Sequence, residues 1–152
     1  MLRYVSPSRE KVQRIIDDMR EGDVEELAAG GWAPEDLHQF VQGARVCVIA
    51  EVNRVPCAIF GVTKTGTLLN PRYSPWMLGA TELHKHPRHL LSESKKIVYT
   101  VLNEFEELEN WVYEGSESSV RWLTWLGFTI EAPVPVGPEG QKFHKFWIKK
   151  EG

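Results

Sequence analysis

The densest run of ionisable side chains in this sequence lies between Glu82 and His89, where His84, Lys85, His86 and Arg88 follow one another closely. A helix is expected to open at Pro87, so these groups stand where free main-chain N–H groups and the helix dipole favour an anion such as phosphate. Lys85 and Arg88 would add charge-assisted hydrogen bonds. A solvated basic helix start explains the same residues. The imidazoles of His84, His86 and His89 match no standard metal-binding spacing, such as His at i and i+4, and no metal is expected. No Gly-x-Ser-x-Gly and no Gly-x-x-x-x-Gly-Lys-Ser/Thr occurs, and Ser116, Ser118 and Ser119 near a helix start are explained by capping. Lys142, His144, Lys145, Lys149 and Lys150 alternate with Phe143, Phe146 and Trp147 near the C-terminus. That pattern suits stacking on nucleic acid, but an ordinary amphipathic strand accounts for it.

The elements that must position these groups are legible from periodicity. Arg3–Val5 reads as an edge strand, and Ser6-Pro7 as a helix start followed by Val12, Ile15, Ile16 and Met19 at helical spacing. Asp23 with Glu26 three residues on resembles a capping box for a short turn through Leu27. Pro34 opens a further helix that closes at Gly43. Residues 45–52 and 55–62, around Asn53-Arg54, form a hairpin. Residues 65–75 read mostly as loop, and 76–81 as a strand. A long helix runs from Pro87 through Phe105. Trp111–Tyr113 is a strand, a short helix ends at Gly127, residues 128–130 form a strand, and residues 142–149 form the last one. This order implies an α/β (α+β) fold: a mixed, mostly antiparallel sheet of about six to seven strands flanked by about four helices.

With 152 residues, one domain over 1–152 is expected. A hydrophobic fraction of 42% and a charged fraction of 26% exclude wholesale disorder. The formal net charge of −3 argues against binding nucleic acid through bulk charge. No stretch is apolar enough to span a bilayer, and the N-terminus shows no secretory pattern. Cys47 and Cys57 read as reduced core thiols, which suits a cytoplasm-like, reducing compartment. Six tryptophans are unusual. Trp111 and Trp122 are expected in the core, and Trp32, Trp76 and Trp125 at a cleft or partner surface.

The element order, with the stretch from Trp111 through Ser116 to Leu126-Gly127-Phe128, resembles the GNAT superfamily of N-acetyltransferases. Trp76-Met77-Leu78-Gly79 and His86-Pro87-Arg88 make residues 76–128 more similar to a bacteriophage branch of that superfamily, which includes internal virion proteins. The resemblance implies acetyl-CoA as donor and an amine as acceptor. It implies main-chain binding at Leu78, Gly79 and Ala80, phosphate contacts from Lys85, His86 and Arg88, and Ser116 in place of the usual Asn. Where the family signature has several glycines, residues 79–89 hold one, at the start. The family's proton-donating Tyr falls on Leu123. In the family pattern, Glu82, His84 and Glu114 are the candidate proton acceptors and Tyr113 the nearest phenol. Two functions follow: an acetyltransferase-like phage protein, or a catalytically degenerate one acting through its surface on virion or host proteins, in the host cytoplasm or the particle.

Overall fold

The computed structural model describes residues 2–85 and 87–151, and for residues 84, 85 and 87–91 it describes the backbone without the side chains. Seven strands and five α-helices alternate through the described chain: β1 (Leu2–Val5), α1 (Arg9–Asp17), α2 (Glu21–Ala29), α3 (Leu37–Gly43), β2 (Ala44–Val52), β3 (Val55–Gly66), β4 (Pro71–Gly79), α4 (Pro87–Phe105), β5 (Glu107–Tyr113), α5 (Glu117–Leu126), β6 (Thr129–Ile130) and β7 (Phe143–Lys149). Strands β1–β4 form one antiparallel sheet in chain order. A second antiparallel sheet has the order β5-β7-β6.

Local chemistry explains most boundaries. Helix α1 starts two residues later than Ser6-Pro7 suggests, because the Ser8 hydroxyl accepts the Lys11 N–H at 3.2 Å and makes Ser8 the cap. Asp23 through Leu27, expected as a capped turn, lie within a nine-residue helix, Glu21–Ala29, which brings the helix count to five. Asn53 and Arg54 both take positive φ, +52° and +67°, which gives the β2–β3 hairpin the twist of its flanking strands. Gly127, at φ +106°, ends α5 in the left-handed region as its position implied.

The segment 65–75 departs from its loop reading. Strands β3 and β4 pair without interruption from Ala58↔Gly79 to Gly66↔Pro71, so only the tip at 67–70 is turn. Pro71 and Pro75 are tolerated because β4 is an edge strand, and their missing N–H groups fall on the edge away from β3.

Among the described residues two large cores flank the sheets, beside a smaller cluster of Ala50, Val52, Cys57 and Ala58. One joins Val12, Ile15, Leu27 and Leu37 of the first three helices to Ile49, Ile59 and Leu78. The other joins Leu102 of α4 and Leu123 and Leu126 of α5 to Leu108, Val112 and Phe146, and reaches Val62 of β3. Helices α1–α3 therefore cover one side and α4–α5 the other. Both cysteines are free thiols. Burial pushes Cys47 up to about 11 and raises Cys57 as well, so both stay protonated at neutral pH. Among the described residues, no helix is long and apolar enough to cross a membrane.

Candidate active site

The two sheets meet along β4 and β5, which run side by side without a shared ladder. Arg72 lies 3.8 Å from Glu107 and 3.4 Å from Glu109, and Pro75 lies beside Asn110, so positions rise together and the strands are parallel. The Asn110 carboxamide bridges them. Its Nδ2 donates to the Pro75 carbonyl at 2.8 Å, and its Oδ1 accepts the Trp111 N–H at 2.8 Å. One side-chain amide thus does the work of a peptide group between two strands that do not pair.

Beyond this bridge the strands part. A strand turns successive peptide groups to opposite edges. Ala80 donates to Cys57 of β3, whereas Gly79 faces the gap, so the N–H and C=O of Met77 face the gap too. The far end is closed from α2. Gly79 N–H donates to Asp23 Oδ2 at 2.7 Å, the Gly79 carbonyl accepts from Arg20 N–H at 2.9 Å, and Tyr113 N–H donates to Glu26 Oε1 at 3.2 Å. Two carboxylates one helical turn apart therefore take the outward N–H of each diverging strand.

Their electrostatics differ. Asp23 is 4% exposed and receives a bidentate Arg20 pair, both bonds 3.0 Å. Glu26 has no comparable cation among the described residues. Burial pushes its carboxyl up to about 7; the Tyr113 N–H and Arg20 oppose the shift and the Asp23 charge adds to it. A group that titrates near neutrality in a cleft suits proton transfer.

A cleft of about 1370 Å³ passes through the gap. On the α2–α3 side it is lined by Glu26, Trp32, Phe40 and Trp76. On the α4–α5 side it is lined by Val98, Val112, Ser118, Ser119, Arg121 and Trp122. The Trp122 Nε1 is buried, with no hydrogen-bond partner among the described residues.

No family model matches the sequence, and no curated protein matches it. Solved structures do. An acetyltransferase of the GNAT family from Streptococcus pneumoniae superposes with TM-score 0.69 at 11% identity, covering 99% of this chain and 100% of its own. An aminoglycoside N(6')acetyltransferase from Legionella pneumophila gives 0.71 at 11% identity, covering 97% and 91%. The spermidine N-acetyltransferase of Vibrio cholerae in complex with CoA and spermine gives 0.69 at 13% identity, covering 97% and 95%. This chain has the GNAT acetyltransferase fold. All three of these proteins are bacterial, and they do not support the finer resemblance to phage proteins expected from residues 76–128.

Within the GNAT fold, the residues singled out from sequence scatter. Leu78 lines the cleft, but Gly79 and Ala80 already have their N–H groups engaged by Asp23 and Cys57. Met77, within the strand 76–81 but not among the residues assigned to main-chain binding, has its gap-facing N–H and C=O without partners among the described residues. Glu82 sits in a 3-10 turn, where its charge adds to burial in raising the Cys57 thiol, and it does not line the cleft. Tyr113 contributes its N–H, while its ring, outside the cleft lining, meets Phe143 in a tilted contact at 5.6 Å. Ser116 precedes α5 without a side-chain cap bond, and its N–H donates to the Tyr113 carbonyl. His86 and the side chains of His84, Lys85, Arg88 and His89 lie outside the described residues.

The tryptophans need one correction. Trp111 is 43% exposed rather than core, because Val112 takes the inward position on β5. Trp122 is half-buried in the cleft wall. Trp125 is exposed, with Lys95 Nζ 4.8 Å from its ring centre. Sequence reasoning missed Asp23 and Glu26 as site residues. Their spacing of three was visible but read as a capping box, and the strands they reach lie far away in sequence. Arg20 is the cap position of α2, without a side-chain cap bond.

Proposed function

We propose that this chain is an N-acyltransferase that takes acetyl-CoA into the gap between β4 and β5 and transfers the acetyl group to an amine entering from the α2 side. The observation that carries this reading is the gap itself, closed by Asn110 at one end and by Asp23 and Glu26 at the other, with the Met77 peptide group open between them. The residues present fit the donor. Met77 offers an N–H and a C=O to an amide-bearing chain, Val98 and Val112 offer apolar walls, and the unpartnered Trp122 N–H offers a further donor. The first turn of α5, with Ser118 and Ser119, and the sequence-assigned Lys85, His86 and Arg88 of the α4 start, would meet phosphates.

When bound, acetyl-CoA supplies an activated acetyl thioester, whose C–S bond breaks as the C–N bond to the amine forms. Glu26 takes the proton that the amine releases. With its carboxyl raised to about 7, about half of it is ionised at neutral pH and more as pH rises, and the Tyr113 N–H holds one oxygen in place. Leu123, 8% exposed in α5, has no proton to give, so a departing thiolate would have to take its proton from solvent. Holding the two reactants in one cleft supplies most of the rate.

The test is calorimetry with acetyl-CoA at millimolar concentration. Saturable binding is expected, at least tenfold weaker in Ser118→Trp, an exposed position where the larger side chain obstructs the cleft without touching the core. Absence of heat from folded protein overturns the reading.

Leu123 favours one alternative: a non-catalytic, GNAT-like phage protein acting through its surface on virion or host proteins. Turnover of acetyl-CoA in the presence of an amine would exclude it.

A further inference from the structure

The α2–α3 side of the cleft carries more detail than an acyl transfer needs. Trp32, Phe40 and Trp76 form a continuous aromatic wall. Trp32 and Phe40 meet edge-to-face at 5.3 Å, and Phe40 and Trp76 are tilted at 6.0 Å. Trp32 is 49% exposed at the mouth, whereas Trp76 lies deeper, its indole N–H donating to Thr63 Oγ1 at 3.0 Å. That bond engages the polar atom of Trp76 and leaves ring surface to a ligand. Val136 and Pro138 from the β6–β7 connection add apolar lining, and Pro138 packs against the backbone at Gly31.

Charge on this side is sparse. Of the carboxylates lining the cleft among the described residues, Asp23 is neutralised by Arg20, which leaves Glu26 as the group that meets a cation. A second ammonium on the ligand would find ring faces but no further carboxylate along this wall among the described residues.

We infer that the acceptor is a primary amine carried by a flat apolar body, an arylalkylamine, with its nitrogen at Glu26 and its ring along Trp32 and Phe40. This rests on the acyltransferase reading above, and it separates this chain from enzymes that take polycations. Planar aromatic ligands gain from edge-to-face contacts as well as from buried area.

The test compares 2-phenylethylamine with spermidine. Calorimetry without acetyl-CoA should show phenylethylamine binding that Trp32→Ala weakens at least tenfold. With acetyl-CoA, thiol release should give a kcat/KM at least tenfold higher for phenylethylamine than for spermidine, and Trp32→Ala should raise KM for phenylethylamine more than it lowers kcat. If acetyl-CoA binds but spermidine is preferred, or Trp32→Ala leaves both amines unchanged, the inference fails and the acyltransferase reading stands. If acetyl-CoA does not bind, the acyltransferase reading fails, and phenylethylamine binding that depends on Trp32 still supports an aromatic amine site. Loss of that binding as well overturns both.

Discussion

Glu26 on α2 accepts the main-chain N–H of Tyr113 on β5 at 3.2 Å, across 87 residues of sequence. Three residues earlier on the same helix, Asp23 accepts the N–H of Gly79 on β4. The helix thereby spans the open ends of two strands that part from each other. It satisfies a main-chain donor on each, which would otherwise be costly where water is excluded. The fold needs both acids there, and Glu26 is left with a protonation equilibrium near neutral pH.

That equilibrium sets a stability slope. The Glu26 carboxyl titrates near 7 in the folded chain, against an ordinary value of 4.5. The folded state therefore holds more protons than the unfolded one between these values, and stability falls as pH rises through that window. Glu26→Gln keeps an acceptor for Tyr113 N–H and removes the charge. The variant should lose this part of the slope between pH 5 and 8 and be more stable than wild type at pH 8, read by urea unfolding. An unchanged slope would show that Glu26 does not titrate there.

Acetyl transfer should follow the same group. In wild type, kcat/KM should rise with pH through about 7. Glu26→Gln should lower it by roughly 10²–10⁴-fold, the usual contribution of a positioned base, and remove that inflection. A full-rate Gln variant would assign the proton to another acceptor.

Asn110 is expected to matter to the gap more than its half-buried position suggests. Asn110→Ala leaves the Pro75 carbonyl and the Trp111 N–H without their bridge. A loss of about 1–3 kcal/mol in denaturant unfolding is expected. Asn110→Asp should not rescue it, because a carboxylate cannot donate to the Pro75 carbonyl. Rescue by Asp would mean that the bond to Trp111 carries the effect.

Gly61 stands directly opposite Trp76 on β3 and β4, and a Cβ there would collide with the indole ring. Gly61→Ala should therefore displace Trp76 from Thr63 and cost about 1–3 kcal/mol. A red shift of tryptophan emission should accompany the loss. A variant with wild-type emission and stability would show that the ring can move freely.

Glu51 offers an asymmetry test. It is 1% exposed, with Arg3 Nε and Lys11 Nζ each 3.0 Å from its oxygens. Burial works against its ionisation, but the two cationic partners outweigh that and hold the carboxyl below its usual range. Its contribution to stability is thus present above the unfolded value and lost as pH falls through the folded one. Replacing both Arg3 and Lys11 by Met should cost about 3–5 kcal/mol at pH 7, because a buried carboxylate is left alone. Glu51→Gln should cost less, since Arg3 and Lys11 can return to water. Equal losses would contradict a buried-charge origin.

The sequence by itself determined the elements and the family-like order. Helical spacing of Val12, Ile15, Ile16 and Met19, the β-branched runs around Asn53-Arg54, and Leu126-Gly127-Phe128 are local signals, and each became the expected element. Local signals failed where the partner is distant. Residues 71–75 look like a loop because of two prolines, but a strand edge facing a gap does not need their N–H groups. Asp23 and Glu26 look like a cap, but their acceptors find donors on β4 and β5. Trp111 looks like core, but the pleat of β5 turns Val112 inward instead. The site is made of such non-local pairs: Pro75 with Asn110, Gly79 with Asp23, Tyr113 with Glu26. Only the parting of β4 from β5 brings them to one place, because two unpaired strand edges must find hydrogen-bond partners from side chains or a ligand, and no periodicity in the chain records which.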